Sequence, residues 1–397
     1  MTTAVIVDVV RTASGKGKPG GSLSGIHPTD LMGHVLRSLL ERSGLDSLRI
    51  DDVLLGCVSQ VGDQSLNIAR TSVLAAGFDE RVPAVTIDRQ CGSSQQAVHF
   101  AAQGVMAGAY DIVIAGGVES MSRVPLGSSS AGGTPFGESF RGRYPEGLVN
   151  QGVSAELIAT KWGFDRLALD TFAAESHRRA AAATEAGLFD GELLPVELPG
   201  AEAGSAPFTR DETIRASTTA EGLGGLPAAF RTDELAARFP DVGWNITPGN
   251  SSPLTDGASA TLIMSEQKAL ELGLRPRARF VDFAVVGDDP LFMLTGPIPA
   301  THRILERSGL SFSDLDAYEV NEAFASVPLA WAHEFDADPA KLNPRGGAIA
   351  LGHALGSSGT RLLGTLLSHL EQTGGRYGLQ TMCEGGGMAN ATIIERL

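Results

Sequence analysis

The feature that most constrains this chain is that it repeats itself. Glu41-Arg42-Ser43-Gly44-Leu45 returns as Glu306-Arg307-Ser308-Gly309-Leu310, an offset of 265 positions (306 less 41). Each copy closes a stretch with helical spacing. The first runs from Thr29 to Ser43, with Thr29 as its expected N-cap, Asp30 in the first turn, and Leu31, Val35, Leu36, Leu39 and Leu40 on one face. Gly44 and Gly309 supply the stops. A short strand is expected after each stop, Val53 to Gly56 and Ala317 to Val320. Further on, Gly92-Ser93-Ser94 opens one helix and Gly356-Ser357-Ser358 opens another, an offset of 264 (356 less 92). Each of these helices leads into a strand ending in glycines, Asp111 to Gly117 and Leu379 to Gly386. Such features in one order at nearly one offset predict two homologous β/α halves, each a mixed sheet carrying helices. If the halves pack pseudo-symmetrically, equivalent loops face one another across the join, which is a natural place for a ligand.

The halves leave a long segment between them, roughly Glu119 to Gly249. It opens on Gly127-Ser128-Ser129-Ser130-Ala131-Gly132-Gly133 and continues with an Ala-rich amphipathic helix, Leu169 to Ala186, stopped by Gly187. A structureless loop of that length is improbable, so a third, substrate-covering unit is expected. The expected division is 1–118 with 250–267 as the N-terminal half, 119–249 as an inserted loop domain, and 268–397 as the C-terminal half.

Composition excludes several classes. The formal net charge is −15 and no Lys/Arg-rich run appears, so the chain does not read as a nucleic-acid binder. The three cysteines, Cys57, Cys91 and Cys383, are too few and too odd for a disulfide framework, which points to a reducing, cytoplasmic setting. No apolar run is long enough to span a bilayer, and the N-terminus reads as a first strand and not as a signal segment.

Cys91 stands immediately before the helix expected over Gly92 to Gly104. A thiol there feels the positive end of the helix dipole, which should lower its pKa, and Arg89 could help. The alternative is a small buried hydrophobe, as most free cysteines are; position alone leaves the two level. Cys383 follows a strand and precedes Gly385-Gly386-Gly387. Those glycines suggest a backbone that approaches a ligand and presents its amides, or else an ordinary turn. Cys57 is assigned to packing. His353 lies among four glycines in Gly346–Gly356, which hold the backbone around it, and a neutral imidazole near a thiol is the usual general base for that thiol. The other His residues lack metal-ligand spacing, so no metal site is expected. Asn321-Glu322 after the second-half strand is either a helix cap or a pair of site groups.

Taken together, Cys91-Gly92-Ser93, Asn321-Glu322-Ala323-Phe324, Gly352-His353 and Cys383-x-Gly385-Gly386-Gly387 resemble, in that order, the four signature blocks of the thiolases. Asn250-Ser251-Ser252 with Asp256-Gly257-Ala258 resembles the segment before the second half, and the match covers essentially the whole chain. The resemblance implies the thiolase-like α/β fold and an acyl-CoA C-acyltransferase. Such an enzyme cleaves a 3-ketoacyl-CoA with free CoA into acetyl-CoA and a shortened acyl-CoA, or runs the reverse Claisen condensation, through an acyl-cysteine. It also implies the roles. Cys91 is the nucleophile, His353 takes its proton, and Cys383 is the second acid/base. Asn321 holds a water that stabilises an enolate oxygen together with His353. The amides of Cys91 and Gly385 form an oxyanion hole, each donor of which is worth ~3 kcal/mol. Ser252 and Arg215 resemble positions that contact CoA. No permanently bound cofactor is implied, only coenzyme A and acetyl-CoA as substrates, and the assembly is a homodimer or homotetramer.

Some positions depart from the commoner thiolase pattern: Asp88 stands where Asn is usual, Ser94 where Gly is frequent, and Glu384 where an apolar residue is common, while Gln95-Gln96 and Ala389-Asn390 follow the blocks. This variant looks similar to lipid- or steroid-side-chain-degrading thiolases of actinobacteria. Two other readings compete. A thiolase-like acyl-CoA binding protein without turnover would be free to lose a member of the catalytic set, and none is missing. A ketoacyl-carrier-protein synthase resembles a Cys-His-His site, where this chain has Cys383 and Asn321.

Overall fold

The computed structural model describes every residue except Met1 and Ala203. The first repeat runs β1 (Ala4–Thr12), α1 (Pro28–Ser43), β2 (Asp52–Gly56), α2 (Ile68–Ala75), β3 (Ala84–Ile87), α3 (Ser93–Met106) and β4 (Ile112–Ser120). The intervening segment carries α4 (Gln151–Trp162) and α5 (Arg166–Glu185) before β5 (Thr255–Ser265). The second repeat runs β6 (Ala278–Gly287), α6 (Pro297–Ser308), β7 (Ala317–Val320), α7 (Ser326–Phe335), α8 (Ser358–Thr373), β8 (Tyr377–Glu384) and β9 (Met388–Arg396).

These strands line up in the order β3-β2-β4-β5-β1-β6-β9-β8-β7. Read outward from the middle, β1-β5-β4-β2 mirrors β6-β9-β8-β7, which is the repeat expressed as topology. The seam is narrow: β1 and β6 pair antiparallel only at Val5 with Arg279 and Ile6 with Ala278. Within each half the outer pairs β2–β4 and β7–β8 are parallel, and the inner pairs are antiparallel. Helices α3 and α8 pack on each other and on strands of both halves. Their apolar residues, Ala97, Val98, Ala101 and Ala102 on one and Leu363, Leu366, Leu367 and Leu370 on the other, share one core. Helices α1 and α2 cover the outer face of the first half, and α6 covers that of the second. Strands β1 and β5 are therefore covered on both faces, and every residue of β5 is buried, as expected of near-continuous runs of apolar and small side chains.

Local chemistry sets the ends. Gly44 (φ 65°) and Gly309 (φ 71°) terminate α1 and α6 in the left-handed conformation, as the repeated pentapeptide predicted. The start of α1 differs from expectation. Pro28 takes the first helical position, where its missing N–H costs nothing, and the cap is His27, whose Nδ1 accepts from the Thr29 amide at 3.3 Å. The helix expected over 169–186 begins earlier, at Arg166, because Asp165 caps it by accepting from the Ala168 amide. The segment between the halves is fastened to β1 by Arg11, which is buried and donates to Glu192 (2.7 Å) and to both oxygens of Asp211 (2.8 and 3.0 Å).

The halves also touch backbone to backbone. A Cβ on Gly117 in β4 would collide with the Gly356 carbonyl oxygen, and one on Gly56 at the end of β2 would press on the backbone of Ser94 and on the same oxygen. No flexible side chain stands there to move aside. Gly117→Ala is expected to lower stability by about 1–3 kcal/mol, the usual cost of overpacking, read as a fall in the urea unfolding midpoint at unchanged slope.

Candidate active site

Cys91 follows a turn that the sequence makes under constraint. Gln90 has φ 49°, uncommon for a residue with a side chain. Asp88 Oδ1 accepts the Gln90 amide (2.7 Å), and the Ser93 hydroxyl accepts the Arg89 amide and donates to the Gln90 carbonyl. The turn delivers Cys91 to the start of α3, nearly fully buried. Cys383 lies within β8, one residue before its end, and not after the strand as its position had suggested. Gly386 (φ 85°) and Gly387 (φ 76°) then turn the chain through a region open to glycine, so that β9 pairs back on β8. This brings the Gly385 amide to face the Cys91 sulfur, beside the amide of Cys91 itself. The two thiols are close enough for charge on Cys91 to raise the Cys383 thiol further.

His353 is held from several sides. Its amide donates to Thr255 Oγ1 (3.0 Å), and its Nδ1 lies 2.6 Å from Ser358 Oγ. The Ser358 hydroxyl donates its one hydrogen to the Ala354 carbonyl (2.8 Å), so toward the ring it accepts. The proton therefore sits on Nδ1, and Nε2 carries the lone pair. Asn321 Nδ2 lies 3.4 Å from Nε2, while Asn321 Oδ1 is buried without a partner. Leu355, two residues past His353, packs with Cys91, Met121, Leu362 and Met382. Cys91, His353, Asn321, and Cys383 with Gly385 thus converge from four separated stretches of chain.

Of these, His353 and Gly385 line a cleft of about 1400 Å³, with Leu355 and Gly386 to Met388, whereas Cys91, Cys383 and Asn321 are buried and do not line it. Its upper walls come from the intervening segment, with Leu126, Phe136, Phe140, Tyr144, Leu148 and Phe230. Phe136 stacks on Phe140 at 4.6 Å, and Phe140 meets Tyr144 at 5.1 Å. Ser252 lines the cleft, its hydroxyl donating to the Ala323 carbonyl (3.1 Å). Arg215 does not line it. It is exposed, and its amide donates to His177 Nδ1 (3.1 Å). Cys57 is fully buried in the first-half core, as assigned.

Several supporting residues were not foreseen. Glu119 accepts the amides of Val58, Ser59 and Gly356 and the Gln64 side chain. Glu322, next to Asn321, accepts from Ser176, Asn343 and the Ile349 amide, tying the strand end to the segment that carries His353. Ser358 orients the imidazole, and Thr255 holds the His353 backbone amide. Only Glu322 had a sequence signal, as the second half of the polar pair. Among the described residues no cluster of His, Cys, Asp and Glu could hold a metal, and no helix is long and apolar enough to cross a membrane.

The family model "Thiolase, N-terminal domain" matches residues 4–267, and "Thiolase, C-terminal domain" matches residues 274–396. The chain is 48% identical to the steroid 3-ketoacyl-CoA thiolase FadA6 of Mycobacterium tuberculosis, over all of this chain and 95% of that protein. It is 42% identical to the 3-ketoacyl-CoA thiolase of Citrobacter koseri over the whole of both. Among solved structures it resembles the acetyl-CoA acetyltransferase of Bacillus anthracis, with a TM-score of 0.88 and 37% identity, covering all of this chain and 99% of that one.

The resting protonation states differ from expectation. Burial, with Glu384 and Glu119 adding negative charge, pushes the Cys91 thiol up to about 12, against the pull of its own amide and that of Gly385. The helix end does not offset this, and Arg89 points away, its Nη1 3.9 Å from Met388 Sδ. Burial, then Arg361, pushes His353 down to about 3. The pair therefore rests as thiol and neutral imidazole. For stability the sign follows directly. As pH falls below the ordinary 6.5, an unfolded His353 takes up a proton and the folded one does not until about 3, so the native state loses ground across that window. Compared with His353→Asn, the wild type should lose roughly 1–2 kcal/mol of additional stability between pH 7 and pH 5, read from paired urea titrations.

Proposed function

This chain belongs to the thiolase family, and we propose that it cleaves 3-ketoacyl-CoA thioesters with free CoA, with Cys91 as the acyl-carrying nucleophile. The observation that carries the reading is the placement of the Cys91 sulfur against the amides of Cys91 and Gly385, with a second thiol beside it. The Cys91 thiol gives its proton to His353 Nε2 as sulfur attacks the 3-keto carbon. The new oxyanion lies between the two amides, which are worth more there than in water. Its collapse breaks the bond between carbons 2 and 3. The electron pair leaves as the thioester enolate, which Cys383 protonates to acetyl-CoA. His353 and a water on Asn321 steady the enolate oxygen. The Cys383 thiolate then takes the proton of an incoming CoA thiol, whose sulfur attacks acyl-Cys91. Sulfur leaves Cys91 and recovers its proton from His353. The set is complete, which weighs against a binding protein without turnover.

The cleft is larger than the ~300–1,000 Å³ of ordinary small-molecule sites, and its upper walls are mainly apolar and aromatic. Together with the name of its 48% identical relative, this favours a bulky acyl group, steroid-derived or long-chain, over acetoacetyl-CoA. Ser252 is read as a CoA contact. Arg215 keeps that role only if CoA reaches beyond the cleft wall. In this reading the segment 119–249 is the covering unit between the halves 1–118 with 250–267 and 268–397. The assembly is a homodimer or homotetramer, for which the edge strand β3, with Val85 42% exposed, is the natural seam. The three free thiols fit a cytoplasmic setting.

The test is thiolysis of acetoacetyl-CoA and of a bulky 3-ketoacyl-CoA, followed by loss of 3-ketoacyl-CoA absorbance. The bulky substrate should be preferred in kcat/KM. Cys91→Ala should abolish turnover, and His353→Ala should lower kcat by about 10²–10⁴-fold. No turnover of either substrate by folded wild type would sink the reading.

A further inference from the structure

Glu384, next to the second thiol, is an ionisable group to which the reaction gives no task. It ends β8, between Cys383 and Gly385, and is fully buried. Neither carboxyl oxygen has a hydrogen-bond partner. The carboxyl lies against the turn that carries the nucleophile: a Cβ on Gly92 would collide with Glu384 Oε1 and crowd Asn390 Nδ2. Asn390 in turn donates to the Gly92 carbonyl (3.1 Å). The backbone that presents Cys91 is therefore packed directly on an acid, and Gly92 is the residue that admits it.

We propose that Glu384 is a positioning residue acting through Cys91: as a neutral acid it packs under the nucleophile and lets the sulfur and the oxyanion gather charge, and as a carboxylate it opposes both. This deepens the reaction proposed above and rests on it. The geometry supplies the reason. A buried carboxylate without donors is costly, whereas the neutral acid is much less so. The groups that face it are few. Arg89 and Asp88 come from the turn before Cys91, Cys91 from the start of α3, and Cys383 from its own strand, while Met388 to Asn390 on the paired strand carry no ionisable group. Burial is the main influence and Asp88 adds to it, against the pull of Arg89, so the carboxyl is held up at about 8. Its charge raises the Cys91 thiol. Above that pH the acid gives its proton to solvent and a negative charge appears beside the sulfur.

Two variants test this in the full-length protein, with kcat/KM for thiolysis and the rate of Cys91 alkylation by iodoacetamide read from pH 6.5 to 9.5. The ratio of Glu384→Gln to wild type should lie near one at pH 6.5 and reach about ten-fold or more at pH 9.5, because the amide cannot ionise. Asp88→Asn removes a neighbouring charge, so Glu384 should ionise at lower pH and the alkaline fall in rate should begin earlier than in wild type. A ratio that stays flat with pH overturns the proposal, as does an Asp88→Asn profile that does not move. If Glu384→Gln fails to fold, the Asp88→Asn profile decides alone. Alkylation needs no acyl substrate. Absent thiolysis with a pH-dependent alkylation ratio therefore sinks the reaction reading alone, whereas a flat alkylation ratio sinks this one.

Discussion

The buried carboxylate of Glu119 is the interaction on which the two halves of the site depend. It sits near the end of β4 and accepts the amides of Val58 (2.9 Å) and Ser59 (3.0 Å) from the first half and of Gly356 (2.9 Å) from the second. The Gln64 side chain adds a further donor at 2.8 Å. Burial works against its charge and these donors work for it. Alongside it, the bare backbones of Gly56 and Gly117 let the Gly356 loop approach without side chains between. That loop lies between His353 and α8, and Gly56, which it meets, packs on the backbone of Ser93 and Ser94 just after Cys91. A shift there of one side chain's width would separate nucleophile from base, and proximity of that kind is worth more than most single contacts in such chemistry.

Magnitudes explain why the thiol rests neutral. A helix N-terminus contributes typically 0.3–1 kcal/mol and up to about 2 in favourable geometry. Raising a thiol from 9.0 to about 12 corresponds to roughly 4 kcal/mol in the opposite sense. Burial and the nearby acids win over the dipole. His353 is driven the other way by the same burial. The proton transfer between them is therefore unfavourable until a substrate carbonyl is present to receive the charge between two amides. A site tuned in this way is inert toward adventitious electrophiles and is switched on by the transition state it stabilises.

What the sequence disclosed follows the range of the forces involved. The paired glycine stops, the strand after each, and the order of the signature blocks are local backbone punctuation, and the structure keeps them: Gly44 and Gly309 are both left-handed, and β7 runs Ala317–Val320 as expected. Cys91, Asn321, His353 and Cys383 stood out because glycines or strand ends flank them, and these features are also local. Glu119, Ser358 and Thr255 did not, because each acts on residues 60 or more positions away or through a hydroxyl whose partner only the fold defines. The N-cap of α1 was misplaced by two residues because His27 accepts through a ring nitrogen, outside the usual set of capping oxygens. Arg215 was placed by context alone, and context did not reveal that its stretch turns toward His177 and the surface.

The two buried glutamates near Cys91 show that burial alone does not decide charge. Glu119 and Glu384 are equally inaccessible, and both have their carboxyls raised by it. One is ringed by amide donors from two loops and can remain an anion that organises backbone. The other faces a glycine, an asparagine amide already donating to a carbonyl, and an arginine turned toward a methionine sulfur. A carboxyl in the second setting is stable mainly as the neutral acid, and its ionisation is felt by whatever charge lies nearest. Because that neighbour is the nucleophile, the polar substitutions at 88 and 384 reach the chemistry without contributing a reacting atom, and the same four signature blocks can operate in different pH ranges.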